Sequence, residues 1–243
     1  MTAPAAGSPL GERLRETVRD AASAGRSLPS EPALAAALGV SRPALREELA
    51  RLERAGLIRR RQGASTIANP AAFELAARFD EQVEYADALR EAGFAAEMEL
   101  LEMDVGQVGP RDATELHVGA AAPALRTVRR WKADGRPVMV AIDVVPLTDE
   151  QAATITVAEL DRAIGLFEMV RHLTGDEVEW ELTWPSAAAA SASIGRLLQL
   201  PARAPLLTLD LVGVCHSGRR GYRAIEYHVP GVVRAGFVRS VRG

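Results

Sequence analysis

The chain contains 243 residues, of which 48% are hydrophobic and 25% charged, and its formal net charge is −3. These values predict one or two soluble globular domains, and no apolar stretch approaches the ~18 residues of a membrane-spanning helix. The single cysteine, Cys215, excludes an internal disulfide framework and a cysteine-based zinc site. The start of the chain has no signal-peptide pattern, which predicts a cytoplasmic protein.

Charge is distributed unevenly along the chain. Residues 1–69 contain 11 arginines, no lysine and 7 acidic residues, a net charge of +4, whereas the remainder contains 18 basic and 25 acidic residues, a net charge of −7. A basic N-terminal part attracts phosphate groups, and an acidic remainder is repelled by them. The asymmetry therefore favours nucleic-acid binding by the N-terminal part.

The N-terminal part is predicted to begin with two helices. Residues 1–9 are expected to form a disordered tail, and residues 10–24 an amphipathic helix. Ser30 is a suitable N-cap for the next helix, and Pro32 lies in its first turn, where the missing N–H has no cost. Apolar residues at helical spacing form a stripe along this second helix: Ala33, Leu34, Ala37 and Leu38.

A third helix follows after a tight turn. Gly39 ends the second helix, Ser41 caps the third, and Gly56 ends it in the left-handed conformation. Leucines spaced by four and three residues are expected to face inward: Leu45, Leu49 and Leu52. The residues off that stripe are expected to face outward: Pro43, Arg46, Glu47 and Ala50. This arrangement predicts a helix-turn-helix, whose second helix presents its N-terminal end to the DNA major groove.

The side chains at that end suit DNA. Arg42 and Arg46 could each bind a guanine edge through two hydrogen bonds, and Ser41 with the free N–H groups of the helix start suits a phosphate. Residues 57–67 are predicted to form a two-stranded wing that carries three consecutive arginines, with Gly63 at its tip. A helical hairpin with solvated arginines is the alternative that uses the same residues.

Several segments resemble the winged helix of GntR-family transcription regulators: Leu28–Glu31, Leu38–Arg42, Leu45–Glu47, Leu52–Glu53, Gly56–Ile58 and Arg61–Gly63. The resemblance implies binding to a palindromic double-stranded operator. Two prolines depart from the family pattern, since Pro32 replaces a frequent arginine and Pro43 a frequent threonine or serine. The residues predicted to contact DNA are Ser30, Ser41, Arg42, Pro43, Arg46, Arg60, Arg61, Gln62 and Gly63.

A linker at 70–78 is expected to lead into a second domain at 79–243. Asp134-Gly135 is a strong hairpin signal between two strands. The other predicted strands also pair mainly through hairpins, which indicates an α+β domain with an antiparallel sheet. The predicted strands are 95–105, 124–132, 136–145, 177–184, 206–214, 222–229 and 237–241. The predicted helices are 82–91, 110–117, 157–160, 164–173 and an alanine-rich helix at 186–200.

This second part is similar to the UTRA effector domain of the HutC subfamily, which implies a chorismate-lyase-like fold and a bound small molecule. The segments that carry the similarity are 129–146, 200–207 and 224–227. In relatives that sense sugar phosphates, a pair of arginines two residues apart binds the phosphate, and here the pair is Arg129 and Trp131. A glutamate expected at position 141 is Ala141, and a Ser-Leu-Tyr at the start of a pocket helix is Gly165-Leu166-Phe167.

Each of these changes removes a charge or a hydrogen-bond donor from the expected pocket, although Glu226 is retained. A pocket without charge-assisted donors cannot compensate for the desolvation of an anion. We therefore expect an effector that is more apolar or neutral than a sugar phosphate, with contact surface from Trp131, Phe167 and Val140 or Ile142. The residues predicted to bind it are Arg129, Trp131, Ala141, Asp143, Gly165, Phe167, Glu226 and His228.

The sequence favours a regulator that acts as a homodimer, in which the winged helix of each copy (its head, residues 10–69) binds one half-site of the DNA. A constitutive DNA-binding dimer without an effector is an alternative, and an enzyme of lyase-like fold is a weaker one. No catalytic set can be assembled, and the four histidines lack metal-ligand spacing. No cofactor is expected, because the only lysine, Lys132, lies in a hairpin strand that does not suit a pyridoxal-phosphate linkage.

Overall fold

The chain folds into two units in a computed structural model that describes residues 9–60, 65–75, 77–78, 84–156, 165–233 and 235–239. The first unit contains the described residues up to 78 together with 235–239, and the second contains 84–233. Among these described residues, no helix has both the length and the apolar character that a membrane span requires.

Three helices form the core of the first unit: α1 (Pro9–Ser23), α2 (Glu31–Leu38) and α3 (Arg42–Arg54). The backbone N–H of Ala33 donates to the Ser30 hydroxyl, and that of Ala44 donates to the Ser41 hydroxyl, so both predicted N-caps are confirmed. These caps satisfy N–H groups that the first helical turn leaves unpaired. Helix bounds in the structure follow the sequence prediction closely here.

Packing of α2 and α3 confirms one predicted face and corrects another. Leu45, Leu49 and Leu52 are buried in α3, as expected. In α2 the buried residues are Leu34, Ala35 and Leu38, whereas Ala33 and Ala37 are exposed. The predicted stripe was wrong for these two alanines, because a run of small apolar residues does not distinguish between neighbouring helix faces.

A small antiparallel sheet follows α3. Strands β1 (Ile58–Arg59) and β2 (Ile67–Ala68) pair with each other, and Ser27 forms a bridge to Ile67 on the other side of β2. The base of the predicted wing is thus confirmed, while its tip lies outside the described residues. Gly56 has φ of +69°, and a Cβ there would lie 2.5 Å from a methyl group of Val238, so the turn before β1 requires glycine.

The C-terminal part of the chain returns to this unit. After a 3-10 helix at Pro70–Glu74, strand β3 (Ala77–Arg78) pairs in parallel with β10 (Ala235–Gly236). Of the strand expected at 237–241, residues 237–239 are not in a strand, and the last two lie outside the described residues. The domain limits 10–69, 70–78 and 79–243 stay predictions, to which the structure adds the packing of 235–239 with the first unit.

The second unit is built on a six-stranded antiparallel sheet with strand order β4-β5-β6-β9-β8-β7. Its helices are short, and the one expected at 157–160 lies outside the described residues. The strands are β4 (Ala96–Gln107), β5 (Pro123–Ala133), β6 (Arg136–Pro146), β7 (Val178–Ala189), β8 (Pro205–Cys215) and β9 (Arg220–His228). The helices are α4 (Tyr85–Glu91), α5 (Pro110–Leu116), α6 (Asp149–Thr154), α7 (Leu166–Thr174) and α8 (Ala192–Leu198).

The α+β antiparallel architecture is confirmed, including the hairpin at Asp134-Gly135, where φ is +50° and +76°. The alanine-rich helix expected at 186–200 was wrong in its first half. Strand β7 runs to Ala189 because each of these residues pairs with β8, with Ser186 opposite Thr208. Only Ala192–Leu198 is helical. Tertiary strand pairing outweighs the helix propensity of alanine.

Helices cover both faces of the sheet. The α5–α8 face carries Val128, Val140 and Val144, which pack with residues of α5 and α8. The opposite α4–α7 face carries Trp131, Met139 and other residues that pack with α4. Because side chains alternate along a strand, Val140 and Met139 lie on different faces.

Candidate functional site

The N-terminal end of α3 forms an exposed surface on the first unit. Ser41, Arg42, Pro43 and Arg46 are all exposed, on the side of α3 away from its buried leucines. The Arg46 side chain is 66% exposed. This end of the helix combines the positive end of the helix dipole with two guanidinium groups, an arrangement that suits the phosphates and guanine edges of DNA.

Acidic residues hold two of the arginines near this surface. Arg46 Nε donates to Glu31 Oε2 at 2.7 Å, and Arg60 lies 4.0 Å from the other Glu31 oxygen. Arg60 also donates to Glu53 at 2.9 Å from Nε and from its backbone N–H. Burial alone would raise the pKa of Glu53, but these hydrogen bonds and the charge of Arg60 outweigh it, and the net shift is downward.

These ion pairs are at the surface, where a pair contributes ~0–1 kcal/mol. A phosphate could therefore replace the Glu31 carboxylate as the partner of Arg46 or Arg60 at small cost. The structure brings these two predicted DNA-contact residues to one carboxylate, while the hydroxyls of Ser30 and Ser41 serve as caps. The predicted contacts Arg61, Gln62 and Gly63 lie outside the described residues.

Six of the eight residues predicted to bind an effector lie on the α4–α7 face of the second unit. Directly paired residues on neighbouring antiparallel strands point to the same face, so the strand register fixes this placement. Arg129, Ala141 and Glu226 form one row across β5, β6 and β9. Asp143 lies in the next row on one side. In the next row on the other side, Met139 of β6 lies between Trp131 of β5 and His228 of β9.

The other two predicted residues, Gly165 and Phe167, lie at the start of α7 on the same face. Arg129 Nη2 lies 3.8 Å from the sulfur of Met169 in α7, and the Phe167 ring centroid lies 6.0 Å from that of Tyr222 in β9. Val140 and Ile142, which were also expected to supply contact surface, lie on the opposite α5–α8 face.

A buried ion pair lies at the centre of this face. Arg129 Nε is 3.6 Å from Asp143 Oδ2, and both side chains are 3% exposed. The Thr127 hydroxyl donates to the same Asp143 oxygen at 2.7 Å. Burial raises the pKa of Asp143, although Arg129 and Thr127 act in the opposite direction. The guanidinium is thus already engaged by a carboxylate of the protein.

Sequence reasoning missed two neighbouring residues at the start of α4. The Tyr85 ring packs edge-on against Trp131 at 6.3 Å and against His228 at 5.2 Å between centroids. A Cβ at Gly165 would lie 2.6 Å from a carboxylate oxygen of Glu84, so glycine leaves room for that side chain. No local motif marks these residues, because only the tertiary fold brings α4 to this face.

Carboxylates predominate around Arg129. Burial and the charges of Asp87, Asp143 and Glu226 raise the pKa of Glu84, while Arg129 opposes the shift. His228 Nε2 lies 2.8 Å from Glu226 Oε2. An additional anion on this face would meet negative charge as well as the cost of leaving water.

A further acidic residue, the half-buried Glu181 of β7, lies on the same face and was also missed. The Tyr222 hydroxyl donates a hydrogen bond to it, and Gly213 between them allows this contact, because a Cβ there would overlap the Tyr222 ring. Burial raises the pKa of Glu181 to about 7, even though the bonds from Tyr222 and Thr183 oppose the shift.

A cavity of about 240 Å³ lies on the α5–α8 face, and none of the eight predicted residues lines it. Its Arg223 pairs with Asp112 and with Asp210, the latter at 2.9 Å. Within the described part of the chain, no group of three or more histidine, cysteine or acidic side chains could hold a metal ion.

Two family models match the chain. The model described as bacterial regulatory proteins, gntR family, matches residues 8–67, and the UTRA domain model matches residues 91–230. The second match alone covers more than half of the chain. A search of curated protein sequences gives no significant match.

Solved structures share the fold at low sequence identity. YydK, a possible transcriptional regulator from Bacillus subtilis subsp. subtilis str. 168, is 14% identical with a TM-score of 0.68, over 97% of this chain and 100% of that one. PhnF from Mycobacterium smegmatis is 20% identical with a TM-score of 0.59, over 93% and 99%. The effector domain of PhnF is 19% identical with a TM-score of 0.55, over 65% and 95%.

Proposed function

The chain belongs to the GntR family of DNA-binding transcription regulators, with a C-terminal UTRA domain for a small-molecule effector, and on this premise we propose its specific role. It acts in the cytoplasm as a homodimeric repressor of the HutC type on a palindromic operator. Each head reads one half-site, and the effector changes the mobility of the heads through the 70–78 linker, which shifts a population of states.

The observation that supports DNA reading most strongly is the exposed arginine end of α3. Arg42 and Arg46 lie in the first turns of this helix, where side chains of a recognition helix reach base edges. Arg60, at the start of the wing, lies near the same acidic residue as Arg46. One head offers few contacts, and a two-fold dimer doubles them.

Gel retardation of DNA from upstream of the protein's own gene tests this role. The wild-type protein is expected to shift the duplex, and Arg42→Ala with Arg46→Ala is expected to reduce affinity by roughly 100-fold, since each arginine–base pairing is worth about 1–3 kcal/mol. Arg13→Ala with Arg54→Ala is the matched control, because both are exposed arginines of the same unit away from the start of α3. Equal losses in the two double variants would contradict the role of α3.

The effector is proposed not to be a sugar phosphate. Arg129 already pairs with Asp143, and Glu84 and Glu226 add negative charge near it. Tyr85, which contacts Trp131, offers apolar surface instead. A neutral or apolar molecule avoids the desolvation cost that an anion would have here.

Thermal unfolding with a metabolite panel tests the effector class. Glucosamine-6-phosphate is expected to leave the melting temperature unchanged, and an apolar or neutral compound is expected to raise it. Trp131→Ala should abolish that rise, whereas the exposed Trp180→Ala should preserve it. Strong, specific stabilisation by the sugar phosphate would contradict this proposal.

A constitutive dimer without an effector is the second candidate, and the already paired Arg129 is the observation that favours it. Titration calorimetry with the same panel separates the two candidates, because a constitutive dimer binds none of the compounds but still binds DNA. An enzyme of lyase-like fold is disfavoured by the family membership, which is that of a regulator.

A further inference from the structure

The cavity of about 240 Å³ on the α5–α8 face lies on the other side of the sheet from the eight residues predicted to bind the effector. Its volume is below the ~300–1,000 Å³ range of pockets for drug-sized ligands, so it has room for a small metabolite. Residues of β4, β5, β6 and β9 form its floor, and the start of α5 forms one wall. All of these elements belong to the second unit.

The centre of the floor is apolar. Ile142 of β6 lies directly opposite Ile225 of β9, and both line the cavity as half-buried side chains. The buried Val144 and Ala124 lie beside them. Removing apolar surface from water is favourable, so a molecule with an aliphatic portion would gain free energy by covering the two isoleucines.

Two arginines border this apolar floor. Val144 lies directly opposite Arg126 of β5 on one side and Arg223 of β9 on the other, and all three residues line the cavity. Since neighbouring strands are ~4.8 Å apart, the Cα atoms of the two arginines are roughly 10 Å apart. A small ligand above Val144 therefore lies between two positive charges.

Arg223 is held in place, but one of its donors is unused. Its side chain is 5% exposed, and its two terminal nitrogens bind Asp112 and Asp210. Its Nε is buried and has no hydrogen-bond partner among the described residues. A buried N–H without an acceptor costs free energy, so this end of the cavity favours a ligand that carries an acceptor, such as a carboxylate oxygen.

The opposite end of the cavity carries a loose ion pair. Arg126 Nη1 lies 3.9 Å from Asp104 Oδ1, too far for a direct hydrogen bond, and the Asp104 side chain is 59% exposed. The same nitrogen donates to Glu102 at 2.9 Å. Surface pairs of this kind contribute little to stability, so Arg126 and Asp104 can each bind a ligand group at small cost.

Opposite charges line the cavity in equal number, since two of its described lining residues are arginines and two are aspartates. A ligand with only a negative charge would be repelled by the aspartates, and one with only a positive charge would be repelled by the arginines. A zwitterion presents each of its charges to an opposite one, and charge-assisted hydrogen bonds are the stronger kind.

We propose that this cavity binds a free α-amino acid with an aliphatic side chain. Its carboxylate lies between Arg126 and Arg223, and its ammonium group donates to Asp104. Its side chain covers Ile142 and Ile225. This second site goes beyond the proposed function, since it lies on the opposite face from the proposed effector residues and requires neither DNA nor that effector.

Titration calorimetry of the full-length protein with L-leucine, L-isoleucine and L-valine tests the ligand class. The tightest binder is expected to exceed its two analogues, the amine without the carboxylate and the acid without the ammonium group, by about tenfold or more in affinity. For L-leucine these analogues are isopentylamine and isocaproate. No binding of any of the three amino acids, or an analogue that binds as tightly as its amino acid, would overturn the inference.

Asp104→Asn tests the proposed partner of the ammonium group. It is expected to weaken amino-acid binding by about tenfold or more and to remove the advantage of the amino acid over its acid analogue. Glu97→Gln is the matched control, because Glu97 lies on the same strand, is also 59% exposed and lies 3.9 Å from Lys132. Circular dichroism verifies that both variants are folded. Equal affinities of the two variants for the amino acid would overturn the inference.

Arg126→Gln tests the carboxylate end in the same titration. It is expected to weaken binding of the amino acid and to remove its advantage over the amine analogue, and an unchanged affinity would contradict the proposed contact. Gel retardation separates this site from the proposed function. A protein that binds DNA but no amino acid would overturn the inference and leave the proposed function standing, whereas one that binds the amino acid but no DNA would do the reverse.

Discussion

Arginine has opposite roles in the two units. In the first unit Arg46 is 66% exposed and pairs with Glu31 at the surface. In the second unit Arg129 is 3% exposed and pairs with Asp143, which is equally buried. Water and salt can replace either partner of the surface pair at little cost, whereas a broken buried pair leaves an uncompensated charge in a medium of low dielectric constant.

This difference indicates how one chain can combine DNA binding with a stable ligand-binding scaffold. The surface pair holds Arg46 in place and still leaves it available to a phosphate. The buried pair fixes the orientation of Arg129 and leaves it little capacity for a new anion. The number of arginines in a sequence therefore says less about anion binding than the burial of their partners.

Loss of the buried pair is expected to have the largest effect on stability. Arg129→Ala leaves the Asp143 charge without its partner and should lower the free energy of unfolding of the second unit by about 3–5 kcal/mol. Urea denaturation monitored by far-ultraviolet circular dichroism, which responds to both units, measures this loss. Arg46→Ala, the surface counterpart, should leave the unfolding midpoint unchanged. Equal effects of the two variants would remove the distinction between the units.

The pH dependence of stability is expected to be the next largest effect. The folded pKa of Glu181 is about 7, against an ordinary value of 4.5, so the native state binds a proton that the unfolded state lacks between these values. Stability should therefore fall as pH rises from 4.5 to 7, by up to about 3 kcal/mol.

Glu181→Gln is the variant that isolates this effect. It should flatten the pH dependence of the urea midpoint in the second unit, while the exposed Glu179→Gln should keep it. A wild-type profile that rises over the same pH range would contradict the raised pKa of Glu181 in the folded state.

The smallest expected effect concerns the surface carboxylate of Glu31, which pairs with Arg46 and Arg60. Glu31→Gln removes the carboxylate that competes with phosphate for Arg46 and Arg60, and should strengthen binding to duplex DNA by up to about fivefold, the value of one exposed ion pair. Fluorescence anisotropy with a labelled duplex measures the change. Glu12→Gln makes the same charge change at an exposed position in the first turn of α1 and should have less effect. Weaker binding by Glu31→Gln would show that this carboxylate helps the arginines to bind.

The helix-turn-helix could be predicted from sequence because its signals are local. Ser30 and Ser41 cap their helices, Gly56 terminates α3, and the spaced leucines define one buried face, all within a short segment. Asp134-Gly135 predicted its hairpin for the same reason.

Prediction from the sequence failed where contacts between distant residues determine the structure. Ala187 and Ala188 favour a helix locally but pair with Leu207 and Leu206 in the sheet. Tyr85 and Glu84 reach the α4–α7 face only because α4 packs there, and no spacing in the sequence reports that contact.

The salt dependence of duplex affinity tests the central claim most directly. The claim is that the first unit binds double-stranded DNA through the start of α3, and it predicts that log Kobs falls linearly with log salt. Arg42→Ala with Arg46→Ala should reduce that slope by about 0.9 for each phosphate that a head no longer neutralises. An affinity that does not respond to salt, or a double variant with the wild-type slope and affinity, would contradict the claim.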